Sequence, residues 1–356
     1  MTLPFLKNDR KRPDQLVAVD LGGRTTKAVQ LQRKGSGFVL SAYALLDAPI
    51  YDKTISADLL SEHLKAVCQT LGAKSRSMTV ALSVNDSVVR HAEMPVMPVG
   101  EMRQILKNNP KPYLQQDLQG YVFDCFITVP KSEPKAEDRS RTGVTPKQRV
   151  LVAGARKQLI DDVETAMRST GLAAESVVPG LITPVNAFEM AMPEVFAKEA
   201  VALIDIGFRS TSISLLKEGE LVLSRVVNIG GDRLTSGLAE AMGISYAEAE
   251  GIKVGIPAEV QMHLEPLIIP LGRELRASID CFEHQQDKPV AHVFISGGSA
   301  RSPFIVQALQ AELTIECKTW NPLSFLQFAL PPEPTAELDQ AAPQLTVAVG
   351  AALAAF

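Results

Sequence analysis

An α/β protein built from two similar halves is what the sequence predicts, and three observations carry that expectation. The motif D-[LI]-G-x-R-[ST]-T occurs twice, as Asp20-Leu-Gly-Gly-Arg-Thr-Thr26 and as Asp205-Ile-Gly-Phe-Arg-Ser-Thr211. Each copy follows a short apolar run, at 16–19 and 201–204, and precedes an alternating one, the pattern of strand, tight turn and returning strand. At 356 residues the chain is too long for one ordinary domain and comfortable for two.

Composition narrows the function classes. Apolar residues make up 46% of the chain and charged residues 21%, which fits well-formed cores and argues against disorder. The formal net charge of -4 gives no reason to expect nucleic acid as a partner, because phosphate backbones are held by clustered Lys and Arg. Cys68, Cys125, Cys281 and Cys317 form no C-x-x-C pair and no metal-type spacing with His, so they read as buried cytosolic thiols. The opening residues lack the sustained apolar stretch of a secretory signal. Nor does any apolar run reach the roughly 20 residues of a membrane span, residues 345–356 included. A cytoplasmic location is expected, with membrane contact only peripheral or through a partner.

Residues 1–15 read as a flexible basic tail, with Leu3, Phe5 and Leu6 ahead of Lys7, Arg10, Lys11 and Arg12. A weak contact with acidic lipid headgroups is the sharper reading of those charges. Residues 57–71 carry Leu59, Leu60, Leu64, Val67 and Leu71 at helical spacing, and Gly72 supplies the stop. Residues 78–84 read as a strand, and 101–109 as a helix ended by Pro110. Strand-like runs at 123–129 and 150–153 flank a charged, Pro-rich stretch, 130–148, which is expected to be an exposed mobile loop. Helices at 157–170, stopped by Gly171, and at 183–190 complete the first half.

The residue types of the repeated turn suit phosphate. A single Asp-x-Gly turn would say little. Two copies, one opening each half, suggest a duplicated unit with two facing phosphate loops. Gly22 and Gly207 let the backbone approach a phosphate closely enough for its N–H groups to cradle it, and Gly23 and Arg24 complete the first turn. Asp20 and Asp205 supply hard oxygens suited to Mg²⁺ through its retained waters. The hydroxyls of Thr25, Ser210 and Thr211 can donate to phosphate oxygens, and Lys27 can neutralise them. The plain alternative is a pair of ordinary hairpins with Asp and Gly in their usual turn roles, and the duplication outweighs it.

Two later stretches add walls to such a cleft. Residues 292–301 run from a strand into Gly297-Gly298-Ser299, and Ser302 and Pro303 then make a good N-cap and first helical position. A strand, a glycine pair and a helix start let a flat base or a phosphate lie against backbone. Gly230-Gly231-Asp232 opens another helix, with Asp232 read as its N-cap. The next helix begins with the capping box Ser245-x-x-Glu248 and carries Glu250 and Lys253 on one face. A surface salt bridge is the plain reading of that pair. As a cleft wall, Glu250 would accept from ribose hydroxyls with Lys253 beside the base.

Two D-x-G turns, a G-G-D helix start, an E-x-x-K helix and a late S-G-G-S, in that order, resemble the actin, sugar-kinase and chaperone ATPase superfamily. Within it the chain is similar to the PilM family of type IV pilus assembly proteins from end to end. The stretches VAVDLGGRTTKAVQL, LVAGARKQLIDDVETAMRSTGL, IDIGFRSTSISLLKEGEL and NIGGDRLTSGLAEAMGISYAEAEGIKVG carry the likeness, with the MPVMP connection and the helix after it. The resemblance implies an actin-like ATPase fold, two αβ domains around a nucleotide cleft with a small α+β subdomain inserted in the first, as in the division protein FtsA. On that template residues 16–87 and 180–198 form the first domain, with 346–356 returning to it. Residues 88–179 form the insert. Residues 199–345 form the second domain, its smaller subdomain at 230–288. The implied ligands are ATP and Mg²⁺. The implied partner is the cytosolic N-terminal tail of a PilN-like inner-membrane protein, bound as an extended peptide near residues 94–118 and the facing first domain. The implied place is the cytoplasmic face of the inner membrane, and a homo-oligomer is compatible with it. The chain departs from the family's first loop at Gly23, where Thr or Ser is usual, and from its second at Phe208, where a small residue is usual.

No catalytic residue is assigned. The sequence holds no Walker loop, H-E-x-x-H or G-x-S-x-G, and its five histidines are scattered, with His63 and His292 reading as structural or surface residues. An ATP-binding scaffold with weak or no ATPase activity is the first expectation. An FtsA-like division filament is the alternative. The apolar residues 347–356, which lack basic neighbours, argue against it because they suit a core helix better than a membrane-surface one. A small-molecule kinase comes third, since it needs an Asp poised to take a proton from the acceptor and only Asp232 is a candidate.

Overall fold

The computed structural model describes residues 13–50, 55–128, 147–255, 258–330 and 335–356, together with the backbone of Leu6–Lys7. The larger sheet has seven strands in the order β1 (Leu6–Lys7), β9 (Ala173–Pro179), β5 (Ser77–Leu82), β2 (Gln15–Asp20), β3 (Thr25–Lys34), β4 (Gly37–Asp47) and β15 (Leu326–Phe328). A second sheet runs β12 (Glu220–Val227), β11 (Thr211–Lys217), β10 (Ala200–Ile206), β13 (His292–Ser296) and β14 (Cys317–Thr319). A third, smaller one pairs β6 (Ser87–Pro95), β8 (Lys147–Arg156) and β7 (Tyr121–Ile127).

The repeated motif is a repeated topology. β2 runs antiparallel to β3 and parallel to β5, and β10 runs antiparallel to β11 and parallel to β13. Each copy of the motif is therefore the turn between the first two strands of a meander. Each aspartate stands at the carboxyl end of a strand whose other neighbour is parallel, which is where open α/β sheets collect ligands. Both strands are covered on both faces. Leu16, Val17, Ala18 and Val19 of β2 are fully buried, as are Val201, Ala202 and Ile204 of β10, which accounts for continuous apolar runs in place of alternation.

Between the two large sheets lies a layer of two helices, Thr183–Ala191 and Thr346–Ala355. Their side chains share one core with Leu16 and Ala18 of the first sheet and with Val201, Leu203 and Phe294 of the second. Phe188 is fully buried there, 4.8 Å from the Phe294 ring and edge-on to Trp320 at 5.2 Å. Burying one such ring is worth about 2–3 kcal/mol. The terminal helix is apolar all round, and Ala348, Val349, Ala351 and Ala352 are fully buried, as expected of a core element. Outside the sheets, helices Ala57–Leu71 and Lys157–Ser169 contribute to the core on the first sheet's other face. Helices Ala258–Gln286 and Pro303–Leu313 do the same for the second. The predicted punctuation is present. Gly72 closes its helix at φ 55, and Ser302 accepts from the Ile305 amide at 3.4 Å; a cap not read from the sequence is Ser56, which accepts from the Leu59 amide at 3.2 Å.

Several boundaries fall elsewhere than the sequence placed them. Within the tail expected to fray, Leu6–Lys7 pairs with β9 as an edge strand, while the other residues up to 12 lie outside the described residues. The insert was expected to reach Pro179, yet β9 sits in the large sheet beside β5, because its alternate neighbour β1 and the core of helix Lys157–Ser169 are there. The stretch expected to be a loop at 130–148 lies outside the described residues except for Lys147 and Gln148, which open β8. The smaller subdomain of the second half was expected to reach 288. The long helix Ala258–Gln286 instead buries Leu264, Ile268, Leu271, Leu275, Ile279 and Phe282 against the five-stranded sheet. β15, expected in the second domain, crosses back to pair with β4.

The two central helices cross very closely. A Cβ at Gly350 would stand 1.8 Å from the Thr183 carbonyl oxygen, and the Gly350 carbonyl accepts from Asn186 Nδ2 at 3.4 Å. Gly350→Ala should therefore destabilise the protein by about 3 kcal/mol, because overpacking against backbone outweighs the roughly 1 kcal/mol gained in helix propensity. Urea unfolding of the two proteins measures the difference, and a neutral result would show that the crossing can open.

Candidate functional site

The two motif turns meet across a cleft of about 350 Å³. Asp20, Gly22, Gly23 and Lys27 line it from one half, and Asp205, Gly207 and Ser210 from the other. The first turn is drawn tight by the Gly22 amide, which donates to the Asp20 carbonyl at 3.0 Å. A Cβ at Gly22 would stand 2.3 Å from the Thr25 carbonyl oxygen and 2.5 Å from Lys27 Nζ, so only glycine fits. In the second turn the Gly207 amide donates to the Ser210 carbonyl at 3.0 Å.

The carboxylates differ in their surroundings. Asp20 accepts from Lys27 Nζ at 3.0 Å, with both side chains largely buried. Asp205 accepts from the Ser296 hydroxyl at 2.9 Å. Desolvation pushes its pKa up to about 6; Ser296 and Lys27 oppose that shift, and the negative charge of Asp20 adds to it. Two acidic side chains lining one cleft suit a hydrated Mg²⁺, an ion that keeps several waters and takes one or two carboxylates together with phosphate oxygens. The donor set therefore fits the ion that the sequence reading expected.

The hydroxyls divide their roles. Ser210 Oγ accepts from Asn85 Nδ2 at 3.2 Å, which leaves its own proton free to donate. Thr211 was expected to face phosphate, but its side chain is fully buried and its hydroxyl donates to the Ile229 carbonyl at 2.7 Å. That bond fixes the chain ahead of Gly230, so Thr211 supports the loop from behind. Thr25 opens β3 and is not among the lining residues.

A second cluster stands beside the second loop. The Gly231 amide donates to the Gly207 carbonyl at 2.8 Å and the Asp232 amide to the Phe208 carbonyl at 2.9 Å. The first amides of helix Gly231–Met242 thus brace the loop. Gly230 is the N-cap of that helix, where Asp232 had been expected, and the Asp232 carboxylate accepts from Tyr246 Oη at 2.8 Å. Lys253 is only 3% exposed and uses its ammonium fully, donating to Glu250 at 2.8 Å, Thr235 Oγ1 at 2.7 Å and the Gly231 carbonyl at 3.4 Å. Burial lowers its pKa, and Glu250 works against that. Desolvation would raise Glu250, yet hydrogen bonds from Lys253 and Thr235 outweigh it and hold the carboxyl below its ordinary range. Buried Ser299 lies beside Gly231, and Gly297, at φ +92, passes so close to Ile206 that a Cβ would stand 2.5 Å from its carbonyl oxygen. Gly298 opens the short 3-10 turn that follows. These residues form one wall, adjacent to the cleft but not among its lining. Arg24 joins the two, its Nη1 lying 3.5 Å from Glu250 Oε2. The capping box is formed as read, with the Ser245 amide donating to Glu248 at 2.9 Å.

Sequence reasoning missed Asn85, Asp86, Tyr121, Arg156 and Arg209, all of which line the cleft. Asn85 and Asp86 follow the carboxyl end of β5, next to Asp20, and a parallel β2–β5 pairing would have pointed to them. Burial raises the Asp86 pKa against the pull of Arg209 and Arg156. Arg209 lay in the motif itself. Tyr121 and Arg156 are far along the chain on the insert, and no local signal marks them.

The raised Asp205 pKa fixes the sign of a pH effect. Folding prefers its neutral form, so its contribution is intact below the ordinary value of 3.8 and is lost as pH rises to about 6. The cost above that pH is roughly 3 kcal/mol. Asp205→Asn should therefore raise the melting temperature at pH 8 and leave it unchanged near pH 4. Equal shifts at both values would show that the carboxyl is not destabilised in the fold.

Solved structures share the fold. In the solved PilM-PilN type IV pilus biogenesis complex, a chain 22% identical to this one superposes with a TM-score of 0.80, covering 97% of this chain and 99% of that one. Ethanolamine utilization protein EutJ from Carboxydothermus hydrogenoformans is 16% identical, with a TM-score of 0.56 over 98% and 92% of the two chains. MreB 5 of Spiroplasma citri, solved bound to AMPPNP, is 11% identical, with a TM-score of 0.53 over 96% and 95%. The fold is the actin-like ATPase fold. Cell division protein FtsA of Bacillus subtilis is 35% identical over 72 residues, a match that spans 20% of this chain and 16% of that protein. Residues 18–356 match the family described as type IV pilus assembly protein PilM, and the chain belongs to that family.

Proposed function

We propose that this chain is a Mg-ATP-binding scaffold of a type IV pilus assembly machine, working at the cytoplasmic face of the inner membrane and holding the cytosolic N-terminal tail of a PilN-like protein. One observation carries the reading. Two glycine turns and two strand-end carboxylates, Asp20 and Asp205, converge on one cleft in a chain of that family. Gly22, Gly23, Gly207 and Ser210 would hold the phosphates, and Asp20 and Asp205 the hydrated Mg²⁺. Bound Mg²⁺ would supply charge neutralisation at the phosphates. Lys27, released from Asp20, would add to it. The wall of Gly230, Gly231, Glu250, Lys253, Gly297, Gly298 and Ser299 would face the nucleoside. A ligand held from both halves stabilises their closed arrangement by its own binding free energy.

The partner reading rests on the insert and on the likeness to the PilM-PilN complex. Met94, Met102, Leu106, Leu114 and Leu118 form the insert's own core, so a bound peptide would use the faces around them, where Val96 is 57% exposed. His91 Nε2 bonds the Leu221 carbonyl at 2.8 Å and ties the insert to the second half. That tie gives nucleotide and peptide a shared mechanical element. Among the described residues no helix is long and apolar enough to cross a membrane, which suits attachment through a partner. The FtsA match favours a filament as the second reading, but helix Thr346–Ala355 is committed to the core and offers no membrane-binding face.

Calorimetric titration with the N-terminal peptide of the PilN-like neighbour tests the proposal. Binding is expected, with an affinity that Mg-ATP changes by about 5-fold or more. Asp20→Ala should abolish Mg-dependent ATP binding and with it the difference between the two titrations, while the peptide still binds. Peptide binding that fails in both conditions sinks the scaffold reading, and polymerisation on lipid would then support the filament.

A further inference from the structure

The repeated motif carries an arginine at the same place in each copy, Arg24 and Arg209, and cradling a phosphate requires neither. Each of them crosses to the other half. The Arg24 guanidinium lies 5.8 Å from the Phe208 ring centroid and 5.4 Å from that of Tyr246. Its Nη1 donates to Tyr246 Oη at 3.3 Å and pairs with Glu250 at 3.5 Å. Arg209 makes the return crossing. Its Cγ and Nε lie 3.4 Å from the place where a Cβ on Gly23 would stand, and its charge acts on Asp86 of the first half. Between the two arginines, Asn85 and Ser210 add a neutral hydrogen bond from half to half.

A Cβ at position 23 would stand 3.4 Å from Arg209 Cγ and Nε, an ordinary contact distance, so the Arg209 side chain lies directly over the first loop. Phe208 supplies one of the two rings beside Arg24, and a small residue there would leave only that of Tyr246. An exposed ion pair alone would hold little. Here one planar guanidinium combines two aromatic faces, a phenol and a carboxylate, a set that an ammonium cannot match.

We propose that Arg24 and Arg209 form a reciprocal cross-bridge that holds the two loops face to face before any ligand arrives, so that in this chain the cleft is closed by protein contacts and not by nucleotide. Only the second arm of the following test rests on the nucleotide reading. In the first arm, spin labels are placed on cysteines at the exposed positions Lys34 and Glu240, after Cys68→Ala and Cys281→Ser, and their separation is measured without nucleotide. The parent should give a single narrow distance. Arg24→Ala and Arg209→Ala should each add a longer population, and Arg24→Lys should behave like Arg24→Ala. An unchanged single distance in the alanine variants overturns the proposal. In the second arm, Arg24→Ala should weaken Mg-ATP and Mg-ADP binding by the same factor, roughly tenfold, because pre-closure is lost for both. A loss confined to Mg-ATP would make Arg24 a phosphate contact and overturn the cross-bridge. If the unmodified protein binds neither nucleotide, the nucleotide reading fails, and the distance measurement still decides the cross-bridge.

Discussion

Everything at the cleft depends on the layer of two helices that both large sheets share. Helices Thr183–Ala191 and Thr346–Ala355 take core contacts from β2 on one side and from β10 on the other, so the two halves have no separate inner faces. Packed cores resist small displacements, and a helix layer of fixed thickness sets how far apart two strand ends can stand. Glycine at 350 lets the two helices nearly touch, so the layer is held together by backbone packed on backbone. The ends of β2 and β10 then point at one another, and the chemistry of Asp20 and Asp205 follows from that placement.

The cleft carries its own electrostatic tension. Lys27 satisfies Asp20, while Asp205 has one hydroxyl partner and a desolvated carboxyl with a raised pKa. A fold gains nothing from an arrangement of that kind unless something cationic relieves it, and functional sites are where such cost is tolerated. The wall beyond the second loop is the opposite case. Glu250 accepts from both Lys253 and Thr235, and the Gly231 carbonyl lies within reach of the same two donors, so the network stiffens the surface beside the loop.

The parts legible in the sequence were those written locally. The doubled motif announced a doubled sheet, and the caps at Ser302 and Ser245 were readable because a hydroxyl must meet an amide two or three residues on. Gly22 could be assigned to a tight turn for the same reason. What stayed hidden was written in pairings between distant segments. Nothing near Ala173 says that it will join the sheet beside Ser77, and nothing near Leu326 says that it will return to β4. Thr211 was misread because strand alternation does not reveal which hydroxyl a buried carbonyl will claim. Tyr121 and Arg156 reach the cleft only because the insert folds back over it.

The seven-stranded sheet ends on both sides in scraps of strand. Among the described residues β1 has two residues and β15 three, so each pairs with only part of the longer strand beside it, Ser176 and Val177 of the seven-residue β9 and residues 38–40 of the eleven-residue β4. One scrap comes from the start of the chain and the other from the far end of its second half. Where a scrap is paired, the backbone groups beneath it are taken, and a neighbouring copy cannot extend the sheet at those residues.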